Sequence, residues 1–187
     1  STMCHVCPVE SIGSSTGPPS ARSFVPYGRQ SIDEKDVASV CSVLRSDWLT
    51  QGPKIKEFEN AIAAYCGAKY AVAVSSGTAA LHIACLAAGL GKDDTLWTSP
   101  NTFVASANCA LYCSAKPDFV DINSLTYNMD VDKLEAKLIE AAKTDSLPKI
   151  VIPVHFAGQS CEMERIYDLS KKYNFKIIED ACHALGG

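Results

Sequence analysis

Tyr70-Ala71-Val72-Ala73-Val74-Ser75-Ser76-Gly77-Thr78-Ala79-Ala80-Leu81 reads as a buried strand, a tight turn and the first turn of a helix. Five small apolar or aromatic residues make the strand, Ser75 and Ser76 leave it, and Gly77 permits a close backbone approach that a Cβ would obstruct. Thr78 and Ala79 open a helix whose first N–H groups lack intrahelical partners. Those donors, at the positive end of the helix dipole, suit a phosphate dianion. Ser-Ser-Gly-Thr is also an ordinary strand-to-helix turn with Ser or Thr as N-cap, and on the turn alone that plainer reading has the edge. Two nucleotide fingerprints fail nearby: the turn holds one glycine rather than Gly-x-Gly-x-x-Gly, and Gly89-Leu90-Gly91-Lys92 follows a helix and continues into Asp93.

Outward from this stretch the chain alternates. Toward the N-terminus, Ser31-Ile32-Asp33-Glu34 reads as a capping box, and Val37, Val40, Cys41 and Leu44 keep one face of a helix ending near Ser46. After Leu49-Thr50-Gln51-Gly52-Pro53, a second helix turns Ile55, Phe58, Ile62 and Tyr65 inward and stops at Gly67. Toward the C-terminus follow a helix from Thr78 to Ala88, strand Thr95–Thr98, helix Phe103–Tyr112, strand Asp118–Asp121 and helix Val131–Ala142. Strand Ile150–Val154, helix Glu162–Tyr173 and strand Lys176–Glu179 complete the series. That order predicts an α/β fold, a three-layer α/β/α sandwich with a mostly parallel sheet. Right-handed crossovers then gather the post-strand segments along one carboxyl edge, where open α/β sheets bind ligands.

With 187 residues, 47% of them apolar, the chain can bury one sizeable core. A net charge of −4 with interspersed signs offers no stripe for nucleic acid and no polybasic membrane anchor. Apolar runs fall short of the roughly 20 residues of a spanning helix, and no signal peptide is evident. Nine cysteines, several on apolar helix faces, fit reduced cytoplasmic thiols. Cys4-His5-Val6-Cys7 is half a zinc spacing with no second half, so no metal is expected. Residues 1–23, rich in Ser, Gly, Thr and Pro, read as a disordered leader before a domain over 24–187.

The carboxyl edge collects Gly77-Thr78-Ala79, Asn101-Thr102-Phe103, His155-Phe156-Ala157-Gly158 and Glu179-Asp180-Ala181-Cys182-His183. A phosphate nest, an aromatic face and a carboxylate ending a buried strand together suit pyridoxal phosphate, whose ring nitrogen must stay protonated for the ring to act as an electron sink. Singly, Phe103 is an ordinary core residue, His155 a strand-end histidine and Asp180 an N-cap.

In order along the chain, Pro26-Tyr27-Gly28-Arg29-Gln30, Leu49–Pro53, Ser75–His82, Ser99–Asn108, Phe119-Val120-Asp121-Ile122 and Glu179–Gly186 resemble the N-terminal half of the DegT/DnrJ/EryC1/StrS aminotransferases. The resemblance implies the N-terminal part of the large domain of fold-type I pyridoxal-phosphate enzymes. It also implies a dimer acting on nucleotide-linked keto-sugars. The Tyr-Gly-Arg-Gln arm and the His-Ala-Leu-Gly ending are most similar to the pseudaminic-acid subgroup, which moves an amino group from glutamate to C4 of a UDP-linked 4-keto-6-deoxy sugar. By position, Gly77, Thr78 and Ala79 would hold the phosphate, Phe103 would stack on the ring, Asp180 would pair with its nitrogen, and His183 would lie near the phenolic oxygen. His155 would stand behind them, with Tyr27, Arg29 and Thr50 toward the substrate mouth. The family's Schiff-base lysine lies beyond the Glu-Asp-Ala segment, and no lysine follows Asp180 here, so the 187-residue chain alone is expected to be an inactive fragment. A sugar dehydratase of the same fold, and a non-catalytic truncated α/β interaction module, are the alternatives.

Overall fold

The structure is a computed structural model describing residues 30–186, and these fall into two units, one up to Gln51 and one from Gly52 onward. The arm residues Tyr27 and Arg29, the leader 1–23 and the Cys4/Cys7 pair lie outside the described residues. The first unit contributes helix α1 (Glu34–Leu44). Its capping box sits two residues later than the sequence suggests. Asp33 accepts from the Lys35 and Asp36 N–H groups, and the Asp36 carboxylate reaches back to the Asp33 N–H at 2.9 Å. Asp serves both roles because each needs only a short side-chain oxygen. The expected apolar face is present but uncovered, with Val40 60% and Leu44 63% exposed.

The second unit runs α2 (Pro53–Tyr65), α3 (Gly77–Ala87), β1 (Thr95–Thr98), α4 (Ala105–Tyr112), β2 (Lys116–Phe119) and α5 (Val131–Lys143). It continues with β3 (Ile150–Ile152), a short 3-10 turn at Phe156–Gly158, α6 (Met163–Tyr173) and β4 (Lys176–Ile177). The four strands are all parallel, in the order β2-β1-β3-β4. Pro117 lies in β2, an edge strand of this sheet, where a missing N–H does least harm. β2 begins two residues before the predicted strand because Ser114, in the left-handed region (φ 59°), ends α4 abruptly and sends the chain straight into the sheet.

Alternation along the strands divides the core. Leu96, Ile150 and Ile152 pack with Leu81 and Cys85 of α3 and Cys109 and Ala110 of α4, with Val154 and Ile178 against them. Trp97 and Val151 face the other way, onto Leu134 and Leu138 of α5 and Ile166 and Leu169 of α6. This is the three-layer α/β/α arrangement, and each fully buried leucine in it contributes roughly 1.5–3 kcal/mol of transfer free energy. Seven described cysteines are free thiols, and Cys85, Cys109 and Cys113 are buried as small hydrophobes.

Residues 70–74 depart from expectation, because they form no strand. Tyr70 and Val72 are each 76% exposed, and the Ala73 N–H donates to Glu59 Oε1 of α2 at 3.0 Å. A suitable composition does not make a strand without a neighbouring chain to complete the ladder, and the described residues offer this stretch none. The same holds for α2, which buries no residue: Phe58 is 58% and Tyr65 68% exposed. Its predicted stop is as expected, with Gly67 in the left-handed region (φ 63°).

Candidate functional site

Asp180 stands one rung beyond the end of the paired strands. Its N–H donates to the Pro153 carbonyl at 3.0 Å, its carbonyl accepts the His155 N–H at 3.1 Å, and it bridges Val154 in parallel fashion. Ile178, two residues earlier, faces the α3/α4 layer, so alternation points Asp180 there too. The side chain is buried, with Oδ2 accepting from Ser106 Oγ of α4 at 2.7 Å and Oδ1 accepting the Cys182 N–H at a long 3.3 Å. Oδ1 therefore keeps acceptor capacity.

Glu179 points to the opposite side, as strand alternation requires, and contacts His155 Nε2 at 2.9 Å. The Cys161 N–H donates to His155 Nδ1 at 3.0 Å, so the proton of the neutral ring sits on Nε2 and is given to Glu179. His155 is buried and acts as a brace for the turn after β3. Asn128 completes that brace. Its Oδ1 accepts the Phe156 N–H at 2.9 Å, and its Nδ2 donates to the Gln159 and Ser160 carbonyls at 2.9 and 3.1 Å.

At the head of α3, Ser76 is the N-cap, and its hydroxyl accepts the Ala79 N–H at 3.1 Å. This modifies the sequence expectation. The Ala79 donor is already engaged, whereas the N–H groups of Gly77 and Thr78 have no hydrogen-bond partner among the described residues. The turn is thus capped as its plainer reading expects, with one donor serving the cap and two N–H groups unpaired among the described residues.

A Cβ built on Gly77 would stand 3.0 Å from Cys182 Sγ, so the helix start and the post-strand turn are in close approach only because residue 77 is glycine. A continuous path of contacts results: Gly77 to Cys182, Cys182 to Asp180, Asp180 to Ser106, and Ser106 to the carbonyl of Phe103 at 3.2 Å. Phe103 itself is 73% exposed, with a ring free to stack. His183 is exposed in the turn after Asp180, and its carbonyl lies against Gly158. Thr50 is an exposed residue of the first unit. The lysines nearest in sequence are committed elsewhere: Lys176 Nζ donates to the Ala88 carbonyl at 2.7 Å, Lys171 lies over the Tyr167 ring and Lys172 meets Glu135.

Sequence reasoning assigned no role to Ser106, Thr102, Cys182 or Asn128. The usable signal for Ser106 is a hydroxyl in the first turn of α4, between Ala105 and Ala107. The nearby Asp180 carboxylate, then burial, push the Cys182 thiol up to about 11. At about pH 8 only about one molecule in a thousand carries the thiolate there. Alkylation of this exposed cysteine should therefore be slow and should rise about tenfold per pH unit toward pH 10; peptide mapping after timed iodoacetamide treatment checks this, and a rate flat with pH contradicts it.

The residues fit a ligand carrying a phosphate and a protonated ring nitrogen: two free N–H donors at a helix start lacking a Cβ, and a buried carboxylate with one oxygen available. Among the described residues no group of three or more His, Cys, Asp or Glu side chains could hold a metal ion. A separate cavity of about 230 Å³ lies between α5 and α6, and its Arg165 and Lys172 are already paired with Asp132, Glu162 and Glu135.

Residues 30–187 match the model of the DegT/DnrJ/EryC1/StrS aminotransferase family. The UDP-4-amino-4-deoxy-L-arabinose–oxoglutarate aminotransferase of Shewanella sediminis is 41% identical over 89% of this chain and 41% of its own length. The UDP-4-amino-4,6-dideoxy-N-acetyl-beta-L-altrosamine transaminase of Campylobacter jejuni serotype O:2 is 42% identical over 86% of this chain and 41% of its own. Among solved structures, NtdA of Bacillus subtilis with bound cofactor PMP superposes with a TM-score of 0.72 at 33% identity, over 80% of this chain and 33% of that one. The chain thus spans about two-fifths of the length of the curated relatives it matches.

Proposed function

We propose, from the premise that this chain belongs to the DegT/DnrJ/EryC1/StrS aminotransferase family, that it is the cofactor-binding part of a pyridoxal-phosphate-dependent sugar-nucleotide transaminase. In this reading residues 24–187 form part of the large domain. The substrate is a UDP-linked 4-keto-6-deoxy sugar of the pseudaminic-acid type, glutamate is the amino donor, and the full-length protein is a cytoplasmic homodimer. The relatives' names support the nucleotide-sugar substrate class.

The observation that carries the reading is the buried Asp180 carboxylate at the carboxyl edge, linked by direct contacts to the glycine that opens α3. When bound, pyridoxal phosphate supplies an electron sink for cleaving bonds at the carbon bearing the amino group. The chain's own part is binding and orientation. The Gly77 and Thr78 N–H groups would hold the phosphate, Phe103 would cover one face of the ring, and Asp180 Oδ1 would accept a hydrogen bond from the protonated ring nitrogen. By the family resemblance His183 would border the ring edge, and Tyr27, Arg29 and Thr50 would serve the substrate in the full-length protein.

Incubating the full-length protein with pyridoxal phosphate, glutamate and a UDP-linked 4-keto-6-deoxy sugar should yield the 4-amino sugar and 2-oxoglutarate in equal amounts. Loss of water from the sugar without amino transfer would replace this reading by a dehydratase.

A further inference from the structure

We propose that Thr102 and Ser106 form a directed hydroxyl relay that orients the Asp180 carboxylate, making both of them positioning residues for the cofactor's ring nitrogen. The inference rests on the pyridoxal-phosphate reading of the site and assigns roles to two side chains outside its direct contacts. Ser106 is fully buried, and its hydroxyl has three neighbours: Asp180 Oδ2 at 2.7 Å, Thr102 Oγ1 at 2.8 Å and the Phe103 carbonyl at 3.2 Å.

A serine hydroxyl has one proton to give, and a carboxylate can only accept. The short, charge-assisted bond to Asp180 takes the Ser106 proton in preference to the longer bond to the neutral carbonyl. With that proton committed, the Thr102–Ser106 contact must run the other way, Thr102 donating to a Ser106 lone pair. Both hydroxyl protons therefore point toward Asp180.

The relay decides which carboxylate oxygen is left over. Oδ2 receives the Ser106 proton, while Oδ1 takes the long 3.3 Å contact from the Cys182 N–H, with the Cys182 thiol beside the carboxylate. Oδ1 is thus the oxygen presented to a ring N–H, and the carboxylate cannot turn about its axis without breaking the Ser106 bond. Ser106 comes from the first turn of α4, two residues beyond the Phe103–Val104 corner, so the same local geometry sets the carboxylate and the aromatic cover together.

The test uses the full-length protein and the variants Ser106→Ala, Ser106→Thr, Thr102→Val and Asp180→Asn. Pyridoxal-phosphate affinity is measured by equilibrium dialysis, the bound cofactor's visible absorption is followed against pH, and kcat and KM are measured for the sugar. Ser106→Ala should weaken cofactor binding on the order of tenfold. It should also displace the pH midpoint of the absorption band and lower kcat with the sugar KM unchanged. Ser106→Thr, which retains the hydroxyl, should restore affinity and midpoint, and Thr102→Val should act in the same direction as Ser106→Ala but less. Wild-type affinity and midpoint in Ser106→Ala, alongside loss in Asp180→Asn, would overturn the relay alone. No cofactor binding by the wild type, or wild-type behaviour of Asp180→Asn, would overturn the site reading and the relay with it. Should circular dichroism show Ser106→Ala unfolded, the half-buried Thr102→Val decides, and wild-type values in it contradict the relay.

Discussion

Asp180→Asn in the full-length protein should lower glutamate-dependent amino transfer on the order of 10²–10³-fold while leaving the fold intact. The substitution keeps the size of the side chain and the main-chain bonds to Pro153 and His155, but it removes the negative charge that accepts a proton-bearing ring nitrogen. The neighbouring Glu179 is the internal control. Its side chain lies on the other side of the strand, against His155, so Glu179→Gln should be far milder. Initial rates of both variants, with circular dichroism to verify folding, check the contrast; equal activity of Asp180→Asn and wild type would remove the carboxylate's role.

Gly158→Ala should destabilise the folded protein by about 2–3 kcal/mol. Gly158 has φ +90°, a region L-residues rarely adopt, and a Cβ there would meet the His183 carbonyl oxygen at 2.9 Å. The obstacle is backbone, so no side-chain rotation relieves it. Ala157, just before it, is already in the left-handed region at φ 53°, and the turn can absorb little more strain. The same substitution should shift the His183 turn away from the site and weaken cofactor binding. Urea denaturation of the full-length protein measures the first effect, and an unchanged midpoint would mean that the close approach of Gly158 to residue 183 is not maintained in solution.

How far the sequence carries the reader depends on where each residue finds its partner. The alternation of strands and helices from Thr95 onward is a local pattern, and the parallel sheet with a carboxyl edge follows from it. The place of Asp180 at the carboxyl edge was legible because it follows the strand begun at Lys176, and that of Gly77 because it opens the helix after a small-residue turn. The 70–74 stretch was misread because its composition is that of a strand, while strand formation depends on a partner the described residues lack. Helix α2 shows the same limit: its apolar stripe was readable, but not what covers it. The braces were invisible for another reason. Ser106 and Asp180 are 74 residues apart, and Asn128 holds carbonyls 31 and 32 residues away, so no local spacing links them. Ala79 illustrates the finer scale, since only the geometry shows that Ser76 has taken its N–H.

In the proposed site the start of α3 and the Asp180 carboxylate hold one pyridoxal-phosphate molecule between them. A crystal structure of the full-length protein with pyridoxal phosphate tests this most directly. Phosphate oxygens are expected within hydrogen-bond distance of the Gly77 and Thr78 N–H groups, the ring against Phe103, and the ring nitrogen at Asp180 Oδ1 with Ser106 still on Oδ2. A phosphate bound away from Gly77, or a ring nitrogen turned away from Asp180, would contradict it.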